Sequence, residues 1–295
     1  MKKRVTRADR MFQWGINGVA VIIAAITLYP LLYVLAASLS EPIKILSGEV
    51  VLWPVGLNIN SYRRVFASAD IINGYKNTII YATSGTLINL LLTICAAYPL
   101  SMPDLKGKNF VTFMITFTMF FSGGMIPSYL NIRSLGMLDT VWSVLLPGAI
   151  NATNMLIMRN YFTQSIPGEL REAASIDGCS PLRTMLDIIL PLSKSILIVI
   201  TLYYFVGHWN SYFDAMMYLR KREMMPLQVL LRQILIMSQM GDMAETYGVD
   251  DANTLLLYES LKYAIIVISA VPLLVIYPMI QKFFEKGIMM GSIKG

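Results

Sequence analysis

Residues 169–192, ELREAASIDGCSPLRTMLDIILPL, form a polar insert between two hydrophobic segments of the chain. Pro167 predicts a helix start just before the insert, and Gly178 predicts the end of that helix because glycine favours a left-handed C-terminal residue. Ser180 as N-cap and Pro181 as first residue predict a second helix immediately afterwards. The insert is therefore predicted to be a pair of short helices joined by a glycine turn, which suits a docking element.

Apolar residues recur at helical spacing in both predicted helices, so each helix is expected to bury one face. Ser165 offers a further start signal for the first helix. The predicted apolar positions are Ile166, Leu170, Ala173 and Ala174 in the first helix, and Leu182, Met185, Leu186 and Ile189 in the second, which is expected to end at Pro191.

The composition is that of an integral membrane protein. Of the 295 residues, 56% are hydrophobic and only 14% are charged, against roughly 25% charged residues in soluble domains. Six runs approach or exceed the roughly 20 apolar residues that cross a bilayer. We therefore expect an all-α protein with six transmembrane helices and both termini on one side. The runs are 11–39, 77–103, 109–132, 140–158, 195–213 and 263–281.

Basic residues predict the orientation, because cytoplasmic loops carry an excess of Lys and Arg. A cytoplasmic N-terminus assigns 14 of the 24 basic residues to the inside, whereas most acidic residues then lie outside. The net charge of +6 is thus explained by topology, and nucleic-acid binding is a poor explanation of it. The same assignment places the insert, taken as residues 165–192, in the cytoplasm.

A cleaved signal peptide is the alternative for the N-terminal run, with Ala36-Ala37-Ser38 as a small-residue cleavage site. The run is longer than the roughly 7 to 15 apolar residues of a signal peptide. Cleavage would also leave five spans, with the termini on opposite sides. A retained first transmembrane helix is therefore the preferred interpretation.

The remaining segments follow from this topology. Residues 1–10 are a cytoplasmic N-terminus, 11–39 the first transmembrane helix, and 40–76 an outer loop with a short helix near 61–68. A five-helix core follows at 77–283. It includes an outer loop at 220–259 that contains an amphipathic helix at 226–240. The tail, 284–295, is expected to be cytoplasmic and flexible. Ser122-Gly123-Gly124 and Pro127 make a straight third span improbable, because glycine and proline weaken the helical hydrogen-bond ladder.

Several kinds of chemistry lack the residues they need. The only Gly-Lys pair, Gly107-Lys108, has no Walker context, so the chain is not expected to bind ATP. One histidine and two cysteines, Cys95 and Cys179, form no zinc, redox or hydrolase motif. Ion coupling needs ionisable residues within the spans, and His208 alone lies away from the span ends.

Neutral polar and aromatic side chains are concentrated in the fourth and fifth predicted spans. Amides bind sugar hydroxyls and aromatic rings cover sugar faces, so this set fits a carbohydrate passage. It fits interfacial aromatic belts and interhelical hydrogen bonds equally well. The candidate passage residues are Asn151, Asn154, Tyr204, His208, Trp209, Asn210 and Tyr212.

The insert resembles the EAA loop of permease subunits in binding-protein-dependent ABC importers. The resemblance is carried by Glu172-Ala173-Ala174, Gly178 and Leu190-Pro191-Leu192; Cys179 and Lys194 depart from the usual pattern. It implies that the first helix of the insert enters a cleft on a separate ATPase subunit. The coupling residues it implies are Glu172, Ala173, Ala174, Asp177, Gly178 and Pro191.

Two further blocks, FVGHWN at 205–210 and SGGMIPSY at 122–129, resemble a subgroup of maltose-transporter-type sugar permeases that includes alginate- and pectin-oligosaccharide permeases. The resemblance implies a type I importer fold in the bacterial inner membrane. It also implies a heterodimer with a related, larger permease, two ATPase subunits, an extracytoplasmic solute-binding protein and an oligosaccharide substrate. ATP and Mg would be bound by the ATPases, so no cofactor is expected in this chain.

Acidic residues of the outer loop are, by the same resemblance, candidates for contact with the binding protein: Asp242, Glu245, Asp250 and Asp251. A merely solvated loop is the alternative. Two other functions stay open for the whole chain. One is a self-contained channel or ion-coupled secondary carrier for a small polar solute, in which the insert is only a loop. The more distant one is a membrane-embedded enzyme, for which no nucleophile and base pair is visible.

Overall fold

The computed structural model describes residues 7–246 and 252–292, and every regular element within them is helical. We number the helices α1 to α14 in chain order, with α10 π-helical over Met185–Ile189. Their bounds are Arg7–Ser38, Pro42–Leu46, Asn60–Ala67, Ala69–Leu100, Lys108–Phe117, Met125–Ser134, Trp142–Leu145, Ala152–Gln164, Gly168–Ile176, Pro181–Leu192, Lys194–Asn210, Phe213–Tyr218, Leu227–Thr246 and Ala252–Ser292.

The chain divides into two compact units. The first comprises Met1–Ala69 and Leu231–Ala270, and its small core contains Ala36, Ala37 and Ile45. A buried ion pair between Glu259 and Lys262 lies in the same unit, where the Ser238 hydroxyl donates to Glu259 at 2.8 Å. These two charges neutralise each other beside the last predicted span.

The second unit comprises Asp70–Leu230 and Val271–Gly295, and it holds the larger core. Helix α4 supplies one wall of this core through Ile94, Ala97 and Tyr98. Opposite side chains include Met155, Met158 and Phe162 of α8, with Ile196, Ile200 and Tyr204 of α11. Burial of apolar side chains therefore holds α4, α8 and α11 together, and the insert is attached to these helices.

Three helices in the described residues are long and apolar enough to cross a membrane: α1 from Arg10, α4, and Leu261–Pro278 within α14. Helices α10 and α11 pass the test together as a fourth, although the chain bends by 86° between them. The predicted run 109–132 is two helices, α5 and α6, with Gly124 at φ +84° between them. The predicted break in the third span is thus confirmed.

The predicted run 140–158 is also interrupted, which the sequence analysis did not anticipate. Helix α7 ends at Leu145 and α8 begins at Ala152. Pro147 lacks a backbone donor, and Gly148 adopts φ +70°, so the intervening residues leave the helical conformation. The Pro-Gly pair was the available signal for this break.

Two smaller expectations can be compared with the helix bounds. The short helix predicted near 61–68 and the amphipathic helix predicted at 226–240 are confirmed as α3 and α13. Residues 284–292 of the predicted tail belong to helix α14, and the flexibility of the tail stays a prediction. Ile288, Met289 and Met290 are ordinary helix-compatible residues, and the glycines beside them cost only about 1 kcal/mol each. Residues 293–295 lie outside the described part of the chain.

Candidate functional site

The glycine turn of the insert has the geometry that the sequence predicts. Helix α9 ends at Ile176, and Gly178 adopts φ +73°. The Cys179 amide donates to the Ala174 carbonyl at 2.9 Å, and the Gly178 amide donates to the Ser175 carbonyl at 3.1 Å. This pair of bonds is a Schellman motif, which satisfies carbonyls that the helix end leaves free. The turn is therefore held by two backbone hydrogen bonds.

Helix α10 begins at the predicted residues. The Ser180 hydroxyl accepts a hydrogen bond from the Arg183 amide at 3.3 Å, and Pro181 is the first helical residue. Pro191 lies in the final turn of α10, just before the 86° bend into α11. The second helix thus runs at a steep angle to the span that follows it.

One face of α9 is exposed and combines acidic with apolar side chains. Glu169, Glu172 and Ala173 are exposed, and Ile176 is exposed over 86% of its surface. These positions follow the spacing of a single helical face. Asp177 and Gly178 continue the exposed surface at the turn.

The opposite face of α9 packs on the protein itself. Ala174 is buried, as is Ile166 just before the helix. The predicted apolar stripe is therefore only half correct, because Leu170 and Ala173 are exposed. Of the implied coupling residues, Ala174 is the one that faces inward.

Polar bonds also hold the insert to the membrane helices. Arg171 of α9 donates to the carbonyls of Ser101 and Phe162. The Tyr98 hydroxyl of α4 donates to the Pro181 carbonyl at 3.0 Å. Arg171 was not among the predicted site residues. The signal that could have revealed it is a basic residue placed where it can reach the C-terminus of another helix.

The candidate passage residues lie in different environments. The Tyr204 hydroxyl lies 2.6 Å from the Thr93 hydroxyl and accepts from the Asn151 amide at 3.2 Å. The Asn151 side chain caps α8 by accepting from the Asn154 amide at 3.1 Å. Three of the predicted residues are thus brought together around α4.

His208 faces α4 as well. Its Nε2 lies 3.0 Å from Asn89 Nδ2, and it packs so closely on Gly85 that a Cβ there would lie 2.5 Å from Nε2. The neighbouring residue, Trp209, is 1% exposed and lies edge-on to Tyr75. These contacts join α4 to α11.

The other two candidate passage residues, Asn210 and Tyr212, lie near the C-terminal end of α11. The exposed Asn210 donates to the Val206 carbonyl of its own helix. Tyr212 packs against the cluster that contains Tyr81 and Val229. The structure does not bring Asn210 into the polar group around Tyr204 and His208. The passage role stays a prediction for all seven residues.

The residues of α4 that contact Tyr204 and His208 were not predicted from the sequence. They form a buried stripe of small and polar residues at intervals of three or four, the spacing that lines one helix face and favours close helix packing. This periodicity was the available sequence signal for a buried helix face, but the apolar residues between these positions obscured it. The stripe consists of Gly74, Thr78, Ala82, Gly85, Asn89, Thr93 and Ala97.

The predicted binding-protein contacts fall at the end of α13 and beyond it. Asp242 and Glu245 belong to the last turns of α13, and Asp250 and Asp251 lie outside the described residues. Among the described residues, no group of three His, Cys, Asp or Glu side chains comes together in a way that could hold a metal ion.

The insert, the broken spans and the apolar helices define a membrane transport subunit. Residues 75–290 match the family of binding-protein-dependent transport system inner membrane components, and the chain belongs to this family. It is therefore a bacterial inner-membrane permease subunit of an ABC importer rather than an enzyme.

Close relatives match almost the whole chain. It is 39% identical over 289 residues to the polygalacturonan/rhamnogalacturonan transport system permease protein YtcP of Bacillus subtilis (strain 168), covering 97% of this chain and 99% of YtcP. Protein LplC of the same organism is 39% identical over 273 residues, which cover 92% of this chain and 91% of LplC.

A solved structure confirms the fold. It is the crystal structure of a bacterial ABC transporter involved in the import of the acidic polysaccharide alginate. One of its chains superposes with a TM-score of 0.85 and 36% identity, covering 96% of this chain and 100% of that one. The expected type I importer permease fold and the predicted subgroup of sugar permeases are thereby confirmed.

Proposed function

We propose that this chain is the permease subunit through which an ATP-driven importer moves oligosaccharides across the cytoplasmic membrane. The observation that carries the proposal is the exposed face of α9, where Glu172 and Ile176 are presented on a helix whose glycine turn is held by two backbone hydrogen bonds. The relatives support the substrate class, since YtcP is named for polygalacturonan/rhamnogalacturonan transport and the solved transporter is involved in the import of the acidic polysaccharide alginate.

The assembly we propose contains this chain, a second and related permease, two ATPase subunits and an extracytoplasmic solute-binding protein. ATP and Mg are bound by the ATPases. Both termini and the insert lie in the cytoplasm, in keeping with the distribution of basic residues. The acidic residues of the outer segment, from Asp242 to Asp251, contact the binding protein.

Coupling proceeds through the exposed face of α9. When the ATPase pair closes on ATP, the cleft that holds α9 moves, and Glu172 follows through an ion pair with a basic group of the ATPase. Ile176 and Ala173 provide apolar contact beside that pair. Because the Schellman turn at Gly178 keeps α9 and α10 in one arrangement, the movement reaches the spans instead of bending the insert.

The sugar passes beside α4 and α11 when the spans tilt. Asn151, Tyr204 and His208 supply amide, hydroxyl and imidazole groups, and Trp209 supplies an aromatic ring. In the conformation described here Tyr204, His208 and Trp209 bond or pack against the protein itself. Opening must therefore exchange these contacts for contacts with the sugar.

Substitution of Glu172 and Gly178 tests the coupling role. We expect Glu172→Gln and Gly178→Ala to reduce both transport and binding-protein-stimulated ATPase activity of the reconstituted complex. The affinity of the binding protein for sugar stays unchanged. Gly178→Ala acts through the backbone, since alanine at φ +73° costs about 1 kcal/mol. Asp187→Asn is the matched control, because Asp187 is exposed on α10 and pairs with Arg183 of the same helix.

Normal coupled transport in both variants would contradict the role of the insert. A separate result would contradict the function itself: uptake of solute by the isolated chain, driven by an ion gradient, would instead support a secondary carrier. A panel of neutral and uronic oligosaccharides, titrated onto the cognate binding protein, identifies the substrate.

A further inference from the structure

The inward face of α9 carries a charged residue whose bonds extend beyond the insert. Arg171 Nη1 donates to the Ser101 carbonyl at 3.1 Å, and Nη2 donates to the Phe162 carbonyl. Nη2 also lies 3.4 Å from the Ser101 hydroxyl. Phe162 is fully buried and Ser101 is 5% exposed, while Arg171 is half-buried, so the acceptor ends of these bonds are shielded from water.

Both acceptors are at helix C-termini. Ser101 directly follows α4, and Phe162 lies in the last turn of α8. The last four carbonyls of a helix have no partner within it, and they carry the negative end of the helix dipole. A guanidinium group satisfies these carbonyls and is attracted to the dipole, so Arg171 caps two membrane helices at once.

The chemistry of arginine is needed for this bridge. Its planar fork presents several N–H donors at fixed angles, so separate nitrogens bond separate acceptors. A lysine ammonium at the same position would concentrate its charge at one point. Arg159 donates to the Leu100 carbonyl at 2.9 Å and caps α4 too. However, Arg159 belongs to α8 and so does not connect α9 to anything.

We propose that Arg171 is the positioning residue that transmits movement of the coupling helix to the ends of α4 and α8. It directly precedes Glu172 in the sequence, yet Glu172 is exposed while Arg171 faces the protein. A displacement applied at Glu172 therefore reaches two membrane helices through one side chain. The inference rests on the proposed function as an ATP-driven importer, and it adds the step between the ATPase contact and the spans.

The test compares transport with ATP hydrolysis in the whole complex. We would reconstitute the wild type, Arg171→Gln and Arg171→Lys with the partner permease, the ATPases and the binding protein. Both variants are expected to co-purify with the ATPases, because the exposed face of α9 is intact. The number of sugar molecules imported per ATP should fall about tenfold in Arg171→Gln, in keeping with the loss of one charge-assisted hydrogen bond. The decrease should be smaller in Arg171→Lys.

Arg183→Gln serves as the control, since Arg183 is an exposed arginine of the same insert whose partner is Asp187 on the same helix. Its transport per ATP should equal that of the wild type. Two results would overturn the proposal. One is unchanged transport per ATP in an assembled Arg171 variant. The other is a parallel fall of transport and hydrolysis that merely follows the amount of folded complex.

A distance measurement distinguishes transmission of movement from a purely structural role of Arg171. If the role were purely structural, ATP would not change the distance between the insert and the end of α4. Spin labels are placed at the exposed Ser175 on α9 and at Leu105 after α4, with Cys95 and Cys179 replaced by alanine. In the wild type we expect one narrow distance distribution with and without ATP. In Arg171→Gln, ATP should shift or broaden it. A variant distribution that stays narrow and unshifted would contradict the proposal. Failure of the wild-type complex to import sugar would contradict the proposed function instead.

Discussion

Helices α1 and α4 both have 32 residues, yet they occupy opposite environments. In the most apolar part of α1 only 6% of residues are buried, whereas the corresponding share of α4 is 39%. Every side chain of α1 from Arg10 to Leu32 is exposed, while α4 has a continuous buried stripe of small and polar residues. Hydropathy thus identifies both spans equally well and conceals their different roles.

The two helices also use their polar groups differently. Thr27 of α1 bonds only backward, to the carbonyls of Ile23 and Ala24 in its own helix. Thr78 of α4 also bonds backward, to the Gly74 carbonyl, but it accepts from the Leu227 amide as well. The Thr93 hydroxyl bonds with Tyr204, and both partners lie far away in the sequence. The helix that organises the transport unit is therefore the one with buried polar partners, and matched substitutions in the two helices can test this difference.

The largest effect is expected at Gly85. Gly85→Val places a Cβ about 2.5 Å from the His208 ring, and the close packing of α4 on α11 cannot absorb it. We expect a loss of about 2–3 kcal/mol of stability, at the upper end of the usual range of roughly 1–3 kcal/mol for overpacking. The thermal unfolding midpoint of the purified complex measures it. Gly18→Val in α1 is the control, since nothing lies within 4 Å of a Cβ there. Equal midpoints for the two variants would refute the comparison.

An intermediate effect is expected at Tyr204. Tyr204→Phe removes the bond to Thr93 and leaves the Asn151 amide without its acceptor. The cost should be about 1–2 kcal/mol, because a buried polar group loses its partner. Thr93→Val in the same background should then cost little more, since both changes remove one interaction. Thr27→Val in α1 is the control and should stay within about 0.5 kcal/mol of the wild type. Additive effects of the Tyr204 and Thr93 changes would show that the two hydroxyls act independently.

The smallest effect is expected at Tyr98, where α4 meets the insert. Tyr98→Phe removes one hydrogen bond to the Pro181 carbonyl and should cost about 0.5–1 kcal/mol, as interhelical bonds in membrane proteins do. Hydrogen exchange should show faster opening at the start of α10. Tyr29→Phe, on the exposed surface of α1, provides the control. Unchanged exchange at α10 would show that this bond does not hold the insert.

Local signals accounted for most of what the sequence could predict. The glycine turn, the Ser180 cap and the break at Gly124 depend on residues close in sequence, and all three are confirmed. The pairing of His208 with Asn89 spans 119 residues. It depends on the register between α4 and α11, which the packing of many apolar side chains determines and no short motif encodes.

The surface of α9 shows the same limit. A helical pattern indicates that one face is buried, but it does not determine where that face begins and ends. Leu170 looked like a buried position and is 39% exposed, whereas the charged Arg171 is the residue that faces the protein. Its orientation follows from the unpaired carbonyls at the ends of α4 and α8, and these become visible only once the helices are in place.

The cap on α4 also bears on how the chain is made. Ser101 and Arg171 are separated by 70 residues, and synthesis adds about 5–20 residues per second. The end of α4 therefore leaves the ribosome several seconds before the side chain that caps it. Until then the Ser101 carbonyl needs another donor, such as water, while the neighbouring Leu100 carbonyl is bonded once Arg159 has been made. Emergence of the insert then supplies the Arg171 donors, so a late segment of the chain completes the hydrogen bonding at the ends of two earlier helices, α4 and α8.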